Sequence, residues 1–328
     1  MRDAECFCPV QLKKTDKMKF SIVIPLHNKA PYVCETLQSI VDQTVLPYEL
    51  ILVDDKSTDG SLELATRFLQ EVPEHFKNVR VEIVALEENR GVSYARNLGF
   101  SKTSGDIISF IDADDVYAPE LIQRAAQLME VQEMDFVVLG IQLFPSGIRY
   151  PDFRRIVPDL QEVGTDAYLM KHPLRTVTSR HFVMGVGSNV IAKRKWMESI
   201  QFDEKARFYE GIDFWYRVLK VVLSNPDSKV GMLMGNHLNV REVNGSLSRK
   251  KYHSCKELTL PPVLVRYKNS TDRYDKLLMG VVGARWIAHS FGNLSSRKQK
   301  IRFIVSYAGL FPRQLYYFFL SKTRVKTV

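Results

Sequence analysis

The stretch from Asp106 to Pro119, Asp-Ile-Ile-Ser-Phe-Ile-Asp-Ala-Asp-Asp-Val-Tyr-Ala-Pro, decides how the chain around it is interpreted. Its apolar run from Ile107 to Ile111 has few polar breaks, a pattern typical of a buried strand in a parallel sheet. The run ends at three carboxylates, Asp112, Asp114 and Asp115, and a helical pattern follows Pro119. Three neighbouring acids repel one another unless a cation or a helix N-terminus offsets them. The stretch therefore predicts either a site for a hard divalent ion or a cap for the following helix.

Strands alternate with helices on both sides of this stretch. The sequence predicts buried strands at 20–26, 49–53, 79–86 and 107–111, with helical patterns at 31–43, 57–70, 91–100 and 119–130. This rhythm requires right-handed β-α-β crossovers, so we expect an α/β fold with a doubly wound, mostly parallel sheet. Beyond Glu130 the strands become irregular, at 136–143, 185–191 and 229–243, and a strongly apolar helix covers 209–223.

Polar clusters follow three of the predicted strands directly. His27 and Asn28 end the first strand, Asp54 and Asp55 end the second, and the acidic triplet ends the fourth. Ligands of open parallel sheets bind outside the carboxyl ends of the strands, where all three clusters would meet. Helix capping alone does not predict this coincidence, so the sequence favours a ligand site.

The charge of the chain is concentrated in its C-terminal part. The formal net charge is +9, and ten of the 46 basic residues follow Asp275, the last of the 37 acidic residues. The body is therefore close to neutral, which argues against a nucleic acid as its partner. Residues 297–328 combine eight basic residues with many aromatic and aliphatic ones. This composition favours contact with an anionic membrane surface, and a helix docked on the body or on a second copy is the alternative.

The N-terminal residues and the cysteines indicate the compartment. Met1 to Lys19 contains no long apolar run, so we expect no signal peptide. The four cysteines show no zinc-type spacing and are expected to be reduced thiols. We expect a cytoplasmic protein that associates peripherally with the cytoplasmic face of the membrane. Dehydrogenase and P-loop motifs are absent, since no glycine-rich loop follows the first strand.

Taken in order, the motifs of the chain resemble those of family-2 glycosyltransferases with the GT-A fold, of the bacterial surface-polysaccharide type. The resemblance covers roughly residues 20–248. The segments that carry it are Ser21-Ile-Val-Ile-Pro-Leu-His-Asn-Lys, Glu49-Leu-Ile-Leu-Val-Asp-Asp-Lys-Ser, Asn89-Arg-Gly-Val-Ser-Tyr-Ala-Arg-Asn, Phe110-Ile-Asp-Ala-Asp-Asp and Glu210-Gly-Ile-Asp-Phe-Trp-Tyr-Arg. The resemblance implies transfer of a sugar, with inversion, from a nucleoside-diphosphate sugar to a hydroxyl of a glycan or lipid-linked acceptor.

The resemblance also assigns the donor site. It implies that the nucleotide is contacted by Pro25, His27, Asn28, Asp54, Asp55, Asn89 and Arg90, with Asp55 reading the base. For Arg96 and Asn97, nucleotide contact and a structural role stay open. Asp112 is expected at the ribose, and Asp114 is expected to bind Mn²⁺ or Mg²⁺ at the diphosphate. Asp115 is expected to cap the following helix. Arg241, Ser246 and Ser248 resemble a late element near the diphosphate, with a solvated turn as the alternative.

The catalytic base is the point where the chain departs from the family pattern. The family usually has Glu-Asp where this chain has Glu210 and Gly211, and the Asp is the usual base. A base must take the proton of the acceptor hydroxyl, so Asp213 or Glu210 has to replace it, and we expect Asp213. The alternative is a sugar-nucleotide-binding pseudoenzyme.

Four parts of the chain follow from these assignments. We expect an N-terminal lead-in at 1–18, a nucleotide-sugar-binding half at 19–130, an irregular acceptor-binding and catalytic half at 131–250, and a basic, aromatic, helical C-terminal region at 251–328. Truncation after Asp275 is expected to leave the donor-binding part folded.

Overall fold

The computed structural model describes residues 18–182, 184–185, 187–243 and 251–320. The expected lead-in therefore lies almost wholly outside the described residues. Within them, a single mixed sheet runs in the order β3-β2-β1-β4-β10-β6-β11-β9-β8, with β5 on β11 and β7 on β6. Its strands are β1 (Phe20–Leu26), β2 (Glu49–Asp54), β3 (Arg80–Ala85), β4 (Ile107–Phe110), β5 (Val116–Tyr117), β6 (Met134–Phe144), β7 (Arg149–Tyr150), β8 (Leu160–Gly164), β9 (Ala167–Met170), β10 (Val190–Lys193) and β11 (Lys229–Arg241).

Helices cover both faces of this sheet, and several more follow it. They are α1 (Val33–Val41), α2 (Ser61–Glu71), α3 (Val92–Lys102), α4 (Leu121–Glu130), α5 (Phe153–Ile156), α6 (Pro173–Val177), α7 (Glu210–Val222), α8 (Pro262–Arg266), α9 (Arg273–Asn293), α10 (Arg297–Ser306) and α11 (Phe311–Leu320). The strand-helix alternation of the first 130 residues is as the sequence predicts, and the α/β class is confirmed.

The first four strands are parallel and position the candidate site. β1 lies between β2 and β4, and β3 pairs with the outer edge of β2. Alternate residues of these strands enter two apolar layers, with Val23 and Phe110 on one face and Ile24 and Leu52 on the other. Because the strands are parallel, their carboxyl ends meet at one edge, which brings the predicted polar clusters together.

The second half of the sheet is mixed, and one predicted strand is shorter there. β10 runs antiparallel to both β4 and β6, while β11 is parallel to β6. The strand expected at 185–191 begins only at Val190. Gly185 and Gly187 have φ angles of 77° and 63°, which lie in the left-handed region that a strand ladder does not accept.

The C-terminal helices are part of the folded body. Leu278, Met279 and Val282 of α9 enter the main core, and α11 packs along α9. Trp286 and Phe303 are buried in a further apolar cluster with the segment around Leu258. A truncation after Asp275 would remove these core side chains, so we no longer expect it to leave a folded protein. Among the described helices, none is both long and apolar enough to cross a membrane.

A buried carboxylate fastens the end of the sheet opposite the candidate site. Glu49, whose side chain is fully buried, accepts hydrogen bonds from Ser21 Oγ at 2.6 Å, Gly105 N at 2.9 Å and Arg80 Nη1 at 2.7 Å. Burial opposes ionisation of Glu49, but these donors outweigh burial and lower its pKa. The carboxylate thereby joins β1, β2, β3 and the loop before β4.

We expect Glu49→Gln to lower the free energy of unfolding at pH 7 by about 2–4 kcal/mol, because the amide NH₂ would replace the carboxylate oxygen that accepts from Arg80. A carboxylate whose pKa is lower in the folded state stabilises the fold fully at pH values above its unfolded-state pKa. This stabilisation is lost as the pH falls through the folded-state pKa. The free energy of unfolding should therefore decrease less steeply in the variant than in the wild type as the pH falls from about 5 to about 3.

Urea unfolding at several pH values measures both effects. Glu82→Gln is the matched control, since Glu82 pairs with the same Arg80 but is partly exposed, and its cost should stay within about 1 kcal/mol. Equal losses in the two variants would contradict a special role of Glu49.

Candidate active site

The ends of β1 and β2 and the start of α3 form one side of the site. His27 is exposed, and its Nδ1 lies 2.8 Å from the Asp55 carbonyl oxygen. Asn89 donates through Nδ2 to the same carbonyl at 3.1 Å and lies 3.2 Å from the His27 ring. Three residues predicted from separate motifs therefore meet at one edge of the sheet, at the carboxyl ends of the parallel strands.

The Asp55 carboxylate fixes the loop that carries Asn89. It accepts hydrogen bonds from the backbone N–H groups of Arg90 at 2.6 Å and Gly91 at 2.8 Å. Asp55 therefore supports the start of α3 instead of capping the helix that follows it in the chain. Each carboxylate oxygen keeps a second lone pair that can accept from a nucleotide base, and base reading by Asp55 stays a prediction.

The other residues predicted to contact the nucleotide lie either in loops or within the sheet. Asn28, at φ 51°, accepts from the Thr58 N–H at 2.8 Å and fixes the loop after β2. Asp54 accepts from the Ser57 N–H, and its buried Oδ1 has no partner. Pro25 is buried within β1. The Arg90 guanidinium stacks over the Tyr94 ring, 3.5 Å from its centroid.

The acidic triplet after β4 has three different surroundings. Asp112 is partly exposed, whereas Asp114 is paired with the Lys29 ammonium. Asp115 is buried and accepts from Ser188 Oγ at 2.6 Å and from the Arg241 N–H at 3.1 Å. The expectation that Asp115 caps the next helix is wrong, because α4 begins only at Leu121.

The three neighbouring carboxylates favour positive charge close to them. Burial and the Asp112 charge raise the pKa of Asp114, and Lys29 only partly offsets them. Burial and its two neighbours raise the pKa of Asp115 well above its usual range. A divalent cation at Asp114 would relieve this repulsion, and carboxylate oxygens are suitable ligands for it. The described residues contain no group of three or more His, Cys, Asp or Glu side chains placed to hold a metal ion by themselves.

Arg96 connects the triplet to the start of α7. Its buried guanidinium donates through Nη2 to Asp112 at 2.7 Å and through Nη1 to Glu210 at 2.9 Å. Burial alone would lower the pKa of Arg96, but the two carboxylates outweigh burial and raise it. Of the two roles left open for Arg96, the structure gives it a bridging contact inside the site. Asn97 is structural, since its side chain bonds the backbone of Phe202.

The two candidate bases occupy different environments. The Glu210 side chain is 18% exposed, and Arg96 links it to Asp112 by pairing with both carboxylates. The Asp213 side chain is fully buried, and it accepts from Arg217 Nε and Arg266 Nε at 2.9 Å each. Both oxygens of Asp213 are thus engaged in ion pairs away from the triplet. The geometry favours Glu210 over the expected Asp213.

Gly211 has a structural reason to lack a side chain. A Cβ at Gly211 would clash with the carbonyl oxygen of Gly185, and a Cβ at Gly187 would clash with the Asp112 carboxylate. The glycines of this loop therefore let the backbone approach both the triplet and the start of α7. Sequence reasoning noted the departure at Gly211 but could not detect a contact with a residue 26 positions earlier.

The structure places some further residues at the site and others away from it. Arg241 donates through Nε to the Asp114 carbonyl oxygen at 3.1 Å, so it lies at the triplet, while Ser246 and Ser248 lie outside the described residues. Lys29 was not assigned a role from the sequence, although it directly follows the predicted cluster after β1. Trp215 is core, because it is fully buried against Phe110 and Phe136.

Solved structures share this fold. S. aureus TarS (residues 1–349) in complex with UDP-GlcNAc matches with a TM-score of 0.65 and 19% identity over 90% of this chain and 81% of that chain. The mannosyltransferase PcManGT from Pyrobaculum calidifontis in complex with GDP-Man and Mn²⁺ matches with a TM-score of 0.50 and 17% identity over 94% of this chain and 87% of that chain. The predicted GT-A fold with a helical C-terminal region is thereby confirmed.

Curated relatives come from bacteria. The uncharacterized glycosyltransferase YwdF of Bacillus subtilis (strain 168) is 35% identical over 42% of this chain and 49% of its own length. The putative teichuronic acid biosynthesis glycosyltransferase TuaG of the same strain is 30% identical over 38% of this chain and 46% of its own length. The chain thus matches about half or less of the length of these relatives.

The family is established by a match to a family model that covers more than half of the chain. The model of glycosyl transferase family 2 matches residues 21–200, which is more than half of the chain and includes the donor-side loops, the acidic triplet and the loop of Gly185 and Gly187. The chain is a member of glycosyltransferase family 2.

Proposed function

We propose that the protein transfers a sugar, with inversion, from a nucleoside-diphosphate sugar to a hydroxyl of a glycan or lipid-linked acceptor. The observation that carries the proposal is the bridge from Asp112 through Arg96 to Glu210. It joins the carboxylate expected at the donor to a partly exposed carboxylate on another element. A donor-binding edge and a candidate base therefore lie side by side.

Glu210 is the base in this proposal. The acceptor oxygen forms a bond to the anomeric carbon while the bond from that carbon to the diphosphate breaks on the opposite face. The acceptor proton passes to Glu210, which lies in the first turn of α7 and is held in place by its ion pair with Arg96. Arg96 is a positioning residue, since it holds Glu210 and Asp112 in a fixed relation.

The leaving diphosphate needs positive charge around Asp114. Lys29 and Arg241 both contact Asp114, so they are placed to face a phosphate group bound there. Asp114, with Asp112 beside it, would hold Mn²⁺ or Mg²⁺, and the bound ion would stabilise the charge that develops on the diphosphate. The complex of PcManGT with GDP-Man and Mn²⁺ supports this assignment. The donor's phosphates would supply ligands that the described residues do not.

The pathway is proposed from the relatives. TuaG and the minor teichoic acid biosynthesis protein GgaB, both of B. subtilis, are named for teichuronic acid and teichoic acid biosynthesis. We propose that this protein also acts in surface polysaccharide synthesis, on the cytoplasmic face of the membrane.

A sugar-nucleotide-binding pseudoenzyme remains the competing function, because Gly211 replaces the usual base. The contact between Gly211 and Gly185 argues against it. The close backbone approach excludes a side chain at 211, and the carboxylate next to it is available. We therefore expect Gly211→Asp to destabilise the protein and not to raise its transfer rate.

We expect Glu210→Gln to lower the transfer rate by about a hundredfold or more while donor affinity stays within a few-fold, because a general base acts only on the acceptor proton. The measurements are turnover with a donor and acceptor panel and calorimetry with the donor nucleotide.

Asp213→Asn is the matched control on the same helix. It should cost about 2–4 kcal/mol of stability, since Arg217 and Arg266 lose a buried partner, yet leave turnover of the folded protein within a few-fold. If Asp213→Asn abolishes transfer and Glu210→Gln does not, the base is Asp213. If the wild type binds donor but transfers to no acceptor, the pseudoenzyme is the better description.

We expect Asp114→Asn to weaken Mn²⁺-dependent binding of nucleoside diphosphates by about tenfold or more, since it removes the charge that attracts the ion. Calorimetry with UDP and GDP, with and without Mn²⁺, checks this. Asp106→Asn is the control, because Asp106 is an exposed carboxylate just before the opposite end of β4. Unchanged affinity and unchanged metal response in Asp114→Asn would refute the assignment.

The C-terminal helices present an exposed surface that we propose faces an anionic membrane. Ile301, Ile304 and Val305 of α10 are 63%, 46% and 72% exposed and follow helical spacing, so they form one apolar stripe. Leu315 and Tyr316 of α11 are also exposed. The basic residues of α10 are Arg297, Lys298, Lys300 and Arg302, and no acid follows Asp275. An apolar stripe with basic neighbours suits the headgroup region of an anionic bilayer.

We expect the full chain to sediment with vesicles of phosphatidylglycerol and phosphatidylcholine but not with phosphatidylcholine alone, and added salt should weaken the binding. The combined substitution Ile301→Glu and Val305→Glu should lower the bound fraction several-fold. Val265→Glu on α8 is the control, since Val265 is 53% exposed away from this stripe. Binding that ignores vesicle charge, or that survives the double substitution, would overturn the membrane assignment.

A further inference from the structure

A cavity of about 260 Å³ lies between the loop before α7, the segment around Tyr252 and Leu258, and α9. The aromatic side chains of Phe208, Tyr252 and Trp286 line it. None of the sequence motifs includes these residues. The cavity is slightly smaller than the sites that hold drug-sized ligands, about 300 Å³ and more, and so suits a single ring.

The lining is polar as well as aromatic. Arg207, Glu257 and His289 contribute charged and hydrogen-bonding groups to the wall. His289 stacks on Phe208 with 4.8 Å between ring centroids, and its Nδ1 lies 3.1 Å from Asn293 Nδ2. A sugar ring carries an apolar C–H face and a rim of hydroxyls, which match an aromatic face and a polar rim.

Two lining residues carry buried polar atoms without partners. They are Nε2 of His289 and Oγ of Ser290, and Ser290 is fully buried. Burial lowers the pKa of His289, so its imidazole is neutral near pH 7. Buried polar groups are normally hydrogen-bonded, and each exception needs an explanation. A hydroxyl group of an occupant, which both donates and accepts, would satisfy either atom after a rotation of its side chain toward the cavity.

The cavity is close to the candidate base along the chain. Phe208 precedes Glu210 by two residues, so their Cα atoms are within about 8 Å of each other. Tyr209 between them has a left-handed φ of 60°, and its ring contacts Phe208 with centroids 4.3 Å apart. The same short segment thus contributes both the cavity wall and the carboxylate at the start of α7.

From this placement we propose that the cavity binds a sugar ring of the acceptor, next to the ring whose hydroxyl reaches Glu210. The acceptor is then an oligosaccharide of at least two residues, or carries one. This proposal rests on the proposed transfer reaction for its meaning, but the binding that it requires can be measured without donor and without turnover.

The test is equilibrium binding of the full chain to a panel of hexose and N-acetylhexosamine disaccharides and their monosaccharides, by saturation-transfer NMR and calorimetry. We expect at least one disaccharide to bind, and Phe208→Ala and His289→Ala each to weaken it by about tenfold. With that disaccharide as acceptor, KM should rise by a similar factor while kcat changes little.

Phe291→Ala is the matched control. Phe291 is an aromatic residue of α9, the helix that carries His289, but it does not line the cavity and is 38% exposed. Calorimetry with UDP and Mn²⁺ on each variant shows whether the donor half is still folded. Disaccharide binding without transfer would overturn the proposed function and leave the subsite standing. No disaccharide binding by the wild type, or equal binding by wild type, Phe208→Ala and His289→Ala, would overturn the subsite.

Discussion

The pairing of one buried guanidinium with two carboxylates is the interaction on which the site depends. Arg96 is almost completely buried, and a charge removed from water is tolerated only when it is paired and hydrogen-bonded. Asp112 comes from the end of β4 and Glu210 from the start of α7, so satisfying Arg96 brings the two halves of the domain together. The same pairing sets the relation between the donor edge and the base that we propose.

The acids of the triplet next to this bridge have different roles. Asp115 is satisfied internally by Ser188 and by the backbone of Arg241, so it shapes the loop. Asp114 is paired with Lys29, and its raised pKa reflects a site that favours additional positive charge. Close backbone contacts at Gly187 and Gly211 make room for this arrangement, because side chains there would displace Asp112 or the start of α7.

The C-terminal helices pack on the body instead of forming a separate tail. α9 completes the core through its apolar residues, and it also forms one wall of the cavity near Phe208. Its successors α10 and α11 leave an apolar stripe exposed on a basic background. In the two proposals together, one region of the chain presents a membrane surface and an acceptor subsite next to the base, as a lipid-linked glycan requires.

The sequence alone determined the α/β class, the order of strands and helices along the first 130 residues, and the sheet edge shared by His27, Asp55 and Asp112. These follow from local periodicity and from the rule that parallel strands end at one edge. Only the tertiary structure separated Glu210 from Asp213, because both lie in the first turn of one helix and differ in the arginines that reach them. Arg96 and Arg266 arrive from positions 114 and 53 residues away, and no local pattern encodes which carboxylate each will pair with.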